Sequence, residues 1–221
     1  MKINNRLKKI GDLVVPNSIC LDVGCDHALL DIYLVKKKQN IKAVASDVKE
    51  GPLDAARENI KREKLEEKIE VRLGNGLDTY KNEDTVIISG MGGRNIIGIC
   101  KNGLSKLKNV ETLILSPNNY QVDVKKFITK NGFYIDNEVF IKEGKFIYQI
   151  IVLKKGKRRY KESELFFGPI FLQNKDDKLF KEYYKRELSS KEIILKLLPK
   201  NFWFKKILLK RDIRMIKKVL I

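Results

Sequence analysis

Ile19-Cys-Leu-Asp-Val-Gly-Cys-Asp-His-Ala-Leu-Leu30 is the stretch that decides the fold. Its first five residues are apolar and β-branched enough for a buried strand, with Asp22 near the strand's end. Gly24 breaks the run, and Ala28, Leu29 and Leu30 open a helical segment. Strand, tight glycine turn and helix N-terminus together form a cradle for a nucleotide-like ligand. The turn lets the ligand approach the backbone, and unpaired helix N–H groups face it. The pattern is Asp-x-Gly-x-Asp-x-Ala, so Asp26 stands where a dinucleotide site keeps its second glycine. A carboxylate there repels a pyrophosphate and suits a ligand with an ammonium group. S-adenosylmethionine, with an α-ammonium and a sulfonium, meets that requirement. Asp26 also qualifies as an N-cap for the following helix, and Asp22 reads as an anchor for the loop backbone. His27 is the only histidine and is assigned no acid–base role.

Two further loops follow in register. Ala43-Val-Ala-Ser-Asp47 is the next apolar run, and Asp47 lies where an acid binds ribose hydroxyls, roughly 20 residues after the first turn. Gly74-Asn75-Gly76 follows the third run and offers a side-chain amide for an adenine edge. Strands are expected at Ile69 to Leu73, Thr85 to Ser89 and Thr112 to Ser116. A hairpin is expected from Tyr134 to Ile141 and Phe146 to Leu153, turning at Glu143-Gly144. Helices are expected from Ile3 to Val14 (stripe Ile3, Leu7, Ile10, Val14), from Leu30 to about Lys37, and from Gly51-Pro52 onward with Leu53, Ala56 and Ile60 inward. Alternating strands and helices imply a mostly parallel sheet with right-handed crossovers, and its ligands bind outside the C-terminal strand ends. The fold class is therefore α/β, a Rossmann-like, mostly parallel sheet of seven strands with a closing antiparallel hairpin, and that arrangement resembles the class I methyltransferase fold.

The 221 residues fit one full domain plus an appendage. The expected boundary lies at 155/156. Lys154-Lys-Gly-Lys-Arg-Arg-Tyr-Lys161 reads as a basic linker. Beyond it Phe180, Tyr184, Leu188, Leu195 and Leu198 share one helical face, and Phe204, Leu208, Met215 and Val219 mark a second helix after Pro199. These form a helical hairpin or coiled coil. The chain carries 46 basic and 28 acidic residues, a net +18, and 21 basic against 8 acidic lie from Lys154 onward. Compositional drift would not concentrate charge in this way; an RNA- or DNA-binding appendage would. Arg6, off the first helix's apolar stripe, and Lys157, Arg158 and Arg159 are the candidate RNA contacts. Three cysteines and one histidine lack metal-ligand spacing, so no metal is expected. No signal peptide, membrane span or obligate protein partner is expected, and the expected setting is cytoplasmic.

The fourth strand enters Gly90-Met-Gly-Gly93, which has no polar side chain. Ser116-Pro-Asn-Asn-Tyr120, after strand five, only partly matches the Asp/Asn-Pro-Pro-Tyr/Phe motif that holds exocyclic amines. A ring nitrogen such as adenine N1 has an in-plane lone pair and needs only positioning and a flipped base. Gly90, Met91 and Gly92 would border that base, and Asn118 would hold its Watson–Crick edge.

Asp22-Val-Gly-Cys-Asp-His-Ala28, Ser46-Asp-Val-Lys-Glu-Gly-Pro-Leu53, Arg72-Leu-Gly-Asn-Gly76 and Gly90-Met-Gly-Gly93 together resemble the bacterial tRNA (adenine-22-N1)-methyltransferases, the TrmK family. The resemblance covers the first ~155 residues closely, and the helical extension matches the family's layout. It implies S-adenosylmethionine-dependent methylation of N1 of an adenine in the D-loop region of tRNA. The matching positions imply cofactor contacts at Gly24, Asp26, His27, Asp47, Val48, Asn75 and Gly76. The residues alone reach only a methyltransferase, acting on nucleic acid. A small-molecule methyltransferase whose basic hairpin is a dimer contact, and a non-catalytic RNA-binding protein, stay open.

Overall fold

A computed structural model describes residues 3–199 and 201–221. Seven strands form one sheet: β1 (Ile19–Val23), β2 (Lys42–Asp47), β3 (Ile69–Leu73), β4 (Thr85–Ser89), β5 (Thr112–Ser116), β6 (Phe133–Glu143) and β7 (Phe146–Lys155). Their order is β3-β2-β1-β4-β5-β7-β6. The first five run parallel, and β7 pairs antiparallel with both β5 and β6. This is the Rossmann-like arrangement with a closing hairpin that the sequence predicts. Leu21, Ile87 and Ile114 are wholly buried because helices cover both faces of the central strands. The chain leaves β1 toward β2 on one side and returns to β4 on the other, so a crevice opens between β1 and β4 at their C-terminal ends.

The helices α1 (Asn5–Leu13), α2 (Leu29–Lys37), α3 (Glu50–Arg62), α4 (Gly93–Asn102), α5 (Leu104–Leu107) and α6 (Gln121–Lys130) complete this part. Ile10 and Val14 carry α1 onto the core, but Ile3 precedes the helix, whose N-cap is Asn4. Leu53, Ala56 and Ile60 are the buried face of α3, as expected. On α6, Lys125 is wholly buried and pairs with Glu138 of β6 at 3.3 Å.

The chain divides into two compact units, Met1–Tyr160 and Lys161–Ile221. The expected linker begins inside β7. Gly156 N–H donates to Gly132 O (2.9 Å) and Ile135 N–H to Tyr160 Oη (2.7 Å), which keeps the segment up to Tyr160 with the sheet. The second unit holds a short helix that the sequence does not announce, α7 (Glu162–Phe167), then α8 (Lys178–Leu197) and α9 (Trp203–Leu220). Phe166, Phe167, Phe171, Phe180 and Tyr184 form its core, and Tyr184 Oη donates to the carbonyls of Phe166 and Phe167. The hairpin of α8 and α9 forms as expected, but α9 is turned. Leu209, Ile213 and Ile216 are buried, whereas Phe204 and Leu208 face solvent. No helix among the described residues is long and apolar enough to cross a membrane.

Candidate active site

The loops at the C-terminal ends of β1, β2 and β3 are stitched by backbone hydrogen bonds. Gly24 N–H and Cys25 N–H both donate to Ser46 O (2.8 and 3.0 Å), and Gly74 N–H donates to Asp47 O (2.9 Å). Ser46 Oγ donates to Asp22 O at 3.1 Å. The Asp22 carboxylate makes no hydrogen bond among the described residues, so Ser46, and not that side chain, anchors the loop. Burial is the main cause that holds the Asp22 carboxyl well above its usual range, with Asp31, Asp47 and Asp26 adding to it.

These loops enclose a cavity of about 320 Å³. It is lined by Val23 and Gly24 from the end of β1, Ser46, Asp47 and Val48 from the end of β2, and Gly74, Asn75 and Gly76 after β3. Met91, Asn95 and Ile99 close it from the β4 loop and α4. Lys49 N–H donates to Asp47 Oδ1 at 2.9 Å, which fixes the carboxylate and leaves Oδ2 for a ligand. Gly24 sits at φ +77°, backbone that favours glycine, and a Cβ there would have to push the flexible end of the Met91 side chain aside. The polar pair Asp47 and Asn75, beside apolar Val48 and Ile99, suits a nucleoside with its ribose and base edge.

Of the expected cofactor residues, Gly24, Asp47, Val48, Asn75 and Gly76 meet at this cavity, whereas Asp26 and His27 do not line it. Asp26 has φ +55°, its side chain is 74% exposed, and its carboxylate lies 3.4 Å from His27 Nε2. Nor is Asp26 the N-cap: α2 begins one turn of loop later, capped by Ala28 in the left-handed region with no side-chain cap. Asn95 and Ile99 were missed, although their i,i+4 spacing after Gly93 is a helical face that could have been read.

Next to the cavity, the β4 loop is clamped by the loop after β5. Gly90 N–H donates to Ser116 O (3.2 Å) and Asn118 N–H to Met91 O (2.9 Å). Asn118 Nδ2 donates to Gly90 O (2.8 Å), and Asn119 Oδ1 accepts from Gly93 N–H (2.9 Å). A Cβ on Gly93 would collide with Asn119 O, so α4 can start here only with glycine. Arg6 donates from Nη1 to Asn118 Oδ1 (3.2 Å), and its guanidinium lies 4.5 Å from the Tyr148 ring centroid. Arg94 lies 4.5 Å from the Tyr120 ring centroid. Arg6 and Asn118 thus belong to one network that braces the loop. Tyr120 belongs to the motif after strand five, whereas Tyr148 and Arg94 carried no sequence signal.

Lys157, Arg158 and Arg159 are exposed and border a separate groove with Lys130 and Gly132. That groove adjoins the start of β6, which pairs with the end of β7, and the end of β7 in turn pairs with the N-terminal end of β5. It lies at the opposite end of the strands from the loop that Arg6 braces. Among the described residues no cluster of three or more His, Cys, Asp or Glu could hold a metal ion.

Residues 20–218 match the family model described as TrmK: tRNA (adenine(22)-N(1))-methyltransferase. A Bacillus subtilis tRNA (adenine(22)-N(1))-methyltransferase is 29% identical over 201 residues, covering 88% of this chain and 84% of that protein. The structure of Streptococcus pneumoniae Sp1610 in complex with S-adenosyl-L-methionine is 36% identical, with a TM-score of 0.90 and full coverage of both chains. M. capricolum TrmK in complex with S-adenosyl-homocysteine is 28% identical, with a TM-score of 0.86, covering 100% of this chain and 98% of that one.

Proposed function

Because the chain belongs to the TrmK family of tRNA (adenine(22)-N(1))-methyltransferases, its reaction is S-adenosylmethionine-dependent methyl transfer to N1 of a tRNA adenine, and we propose how its residues carry that out. Membership removes the two rival readings. Asp47 Oδ2 holds the ribose hydroxyls, Asn75 reads the adenine edge, and Val48 and Ile99 flank the base. Gly24 and Gly76 let the ligand lie against backbone. The fit rests on the cavity at the β1/β4 switch point and on the glycine cradle there. Asp26, outside the cavity wall, is left with a rim position from which a carboxylate attracts an ammonium only at longer range.

When bound, S-adenosylmethionine supplies an electrophilic methyl: the N1–CH3 bond forms as the S–CH3 bond breaks, and the positive charge passes from sulfur to the adenine ring. No proton has to leave N1, so the chain needs no general base. Gly90, Met91 and Gly92 offer none, and the nearby cations Arg6 and Arg94 cannot serve as one. Their work is to keep the β4 loop open and rigid so that a flipped base meets the methyl in line. The observation that carries this reading is the cavity with Asp47 and Asn75 beside a loop clamped by asparagines and free of titratable side chains. The basic helical unit grips the tRNA body through phosphates, and the enzyme works in the cytoplasm with its tRNA.

The test is nucleoside chromatography of tRNA after incubation with labelled cofactor. The expected product is 1-methyladenosine, lost when adenine 22 is replaced by guanine. A product that elutes as N6-methyladenosine without alkaline treatment would overturn the mechanism.

A further inference from the structure

The far end of the helical hairpin differs from its root. Near the root, Lys191 pairs with Asp212, Lys217 with Glu192, and Arg211 with both Glu162 and Asp212. Toward the tip, the stretch 193–210 holds five lysines and no acidic residue. None of Lys196, Lys205, Lys206 and Lys210 forms an ion pair among the described residues. The buried stripe of α9 begins only at Leu209. Ahead of it, Trp203 is 65% exposed, Phe204 60% and Phe202 47%, with Leu197 at 77% and Ile207 at 55% on the same end. Trp203 and Phe204 pack edge-to-face on each other, ring centroids 5.9 Å apart, and not into the hairpin's interior.

An apolar surface of this kind is costly to leave in water unless something covers it. A second copy is disfavoured as the occupant, because two unpaired lysine sets would be brought together. A polyanion with flat apolar faces fits both features, and unpaired nucleobases of a tRNA loop are such a ligand. Bases stack on aromatic faces while ammonium groups follow the phosphates.

We infer that the hairpin tip is a stacking platform for unpaired bases of the substrate tRNA, with Trp203 as its centre. A base-paired stem cannot use the platform, since its bases are already stacked. The tip thereby adds selection of a loop to the sequence-independent phosphate contacts. This inference rests on the tRNA reading above and assigns a specific role to an end of the chain that the methyl-transfer site does not involve.

Trp203 is the only tryptophan in the chain, so its fluorescence reports on this site alone. With the full-length protein, tRNA should quench the emission saturably, while a fully paired RNA duplex of equal phosphate count should bind without comparable quenching. Trp203→Ala should raise KM for tRNA by roughly 5- to 100-fold and leave kcat and cofactor affinity unchanged, and Trp203→Phe should retain most of the wild-type KM. The side chain is exposed, so the fold survives the change. Equal quenching by duplex overturns the inference. So does quenching by phosphatidylglycerol vesicles but not by tRNA, a signal that follows protein concentration alone, or an unchanged KM in Trp203→Ala. If the wild-type protein methylates no tRNA at all, the functional reading fails instead, and the two failures are told apart.

Discussion

Asp31→Asn should make the protein more stable at pH 8 and flatten its dependence on pH. Asp31 lies in the first turn of α2, and both its carboxylate oxygens are buried without a hydrogen-bond partner among the described residues. Burial raises its pKa from 3.8 to about 7; its own backbone N–H works in the opposite direction without reaching hydrogen-bond geometry. In the unfolded chain the proton leaves above about pH 4, whereas the folded chain holds it until about pH 7. The folded state therefore binds more protons across that window, and stability falls as pH rises through it and levels off above. At 1.36 kcal/mol per pH unit the loss amounts to roughly 4 kcal/mol. Asp22, raised by burial and by Asp31 itself, acts in the same direction, and the charge of the same carboxylate adds to burial in pushing up the thiols of Cys20 and Cys25. The amide introduced by Asp31→Asn cannot ionise, so variant and wild type should match near pH 4 and diverge to a few kcal/mol by pH 8. Urea denaturation at pH 5, 6, 7 and 8 with a shared m-value measures this. Parallel stability curves for the two proteins would refute the reasoning, because they would mean that Asp31 titrates alike folded and unfolded.

Asp47→Ala should weaken S-adenosylmethionine binding by roughly 1.5–3 kcal/mol, the worth of a charge-assisted hydrogen bond; unchanged affinity in calorimetry would remove Asp47 from the site. Lys125→Met should destabilise the protein by roughly 3–5 kcal/mol, since it breaks the buried ion pair of Lys125 with Glu138. Lys125→Met with Glu138→Leu should recover most of that loss in denaturant melts, and no recovery would show that the pair is not what the single change breaks. A chain ending at Tyr160 should fold, bind cofactor and methylate tRNA poorly, whereas full tRNA methylation by it would deny the helical unit any role as a grip.

The sheet was legible wherever burial wrote it into composition. The bounds of β4 and β5 coincide with their apolar runs because strands covered on both faces read as continuous hydrophobic segments, whereas the edge strand β3 shows as the alternating run Ile69-Glu-Val-Arg-Leu73. The second unit was less legible. The six residues of α7 are too few to show a helical period. In α9 both faces carry apolar side chains, so periodicity alone could not tell the stripe Leu209, Ile213 and Ile216, which packs inward, from Phe204 and Leu208, which do not. Two apolar faces on one helix blur the pattern, and the same ambiguity hides the exposed tip.

At the site, legibility followed the distance over which each role is decided. Asp47, Val48 and Asn75 stand at strand ends, and topology alone brings such positions to the cavity. The position of Asp26 depends instead on left-handed backbone at Asp26 and Ala28, which residue identity does not announce and which turns the carboxylate outward. The role of Asn118 is set by partners far off in the chain, Gly90 at a separation of 28 residues and Arg6 at 112. That separation also bears on the chemistry. In an amine-binding motif the asparagine amide grips the substrate's exocyclic nitrogen; here Asn118 uses its amide nitrogen on Gly90 O and its oxygen on Arg6, while Asn119 holds Gly93 N–H. With those groups engaged in keeping the loop in place, discrimination between N6 and N1 falls to where the base sits relative to the methyl. N1 needs no help beyond that, since its lone pair already lies in the ring plane and points outward.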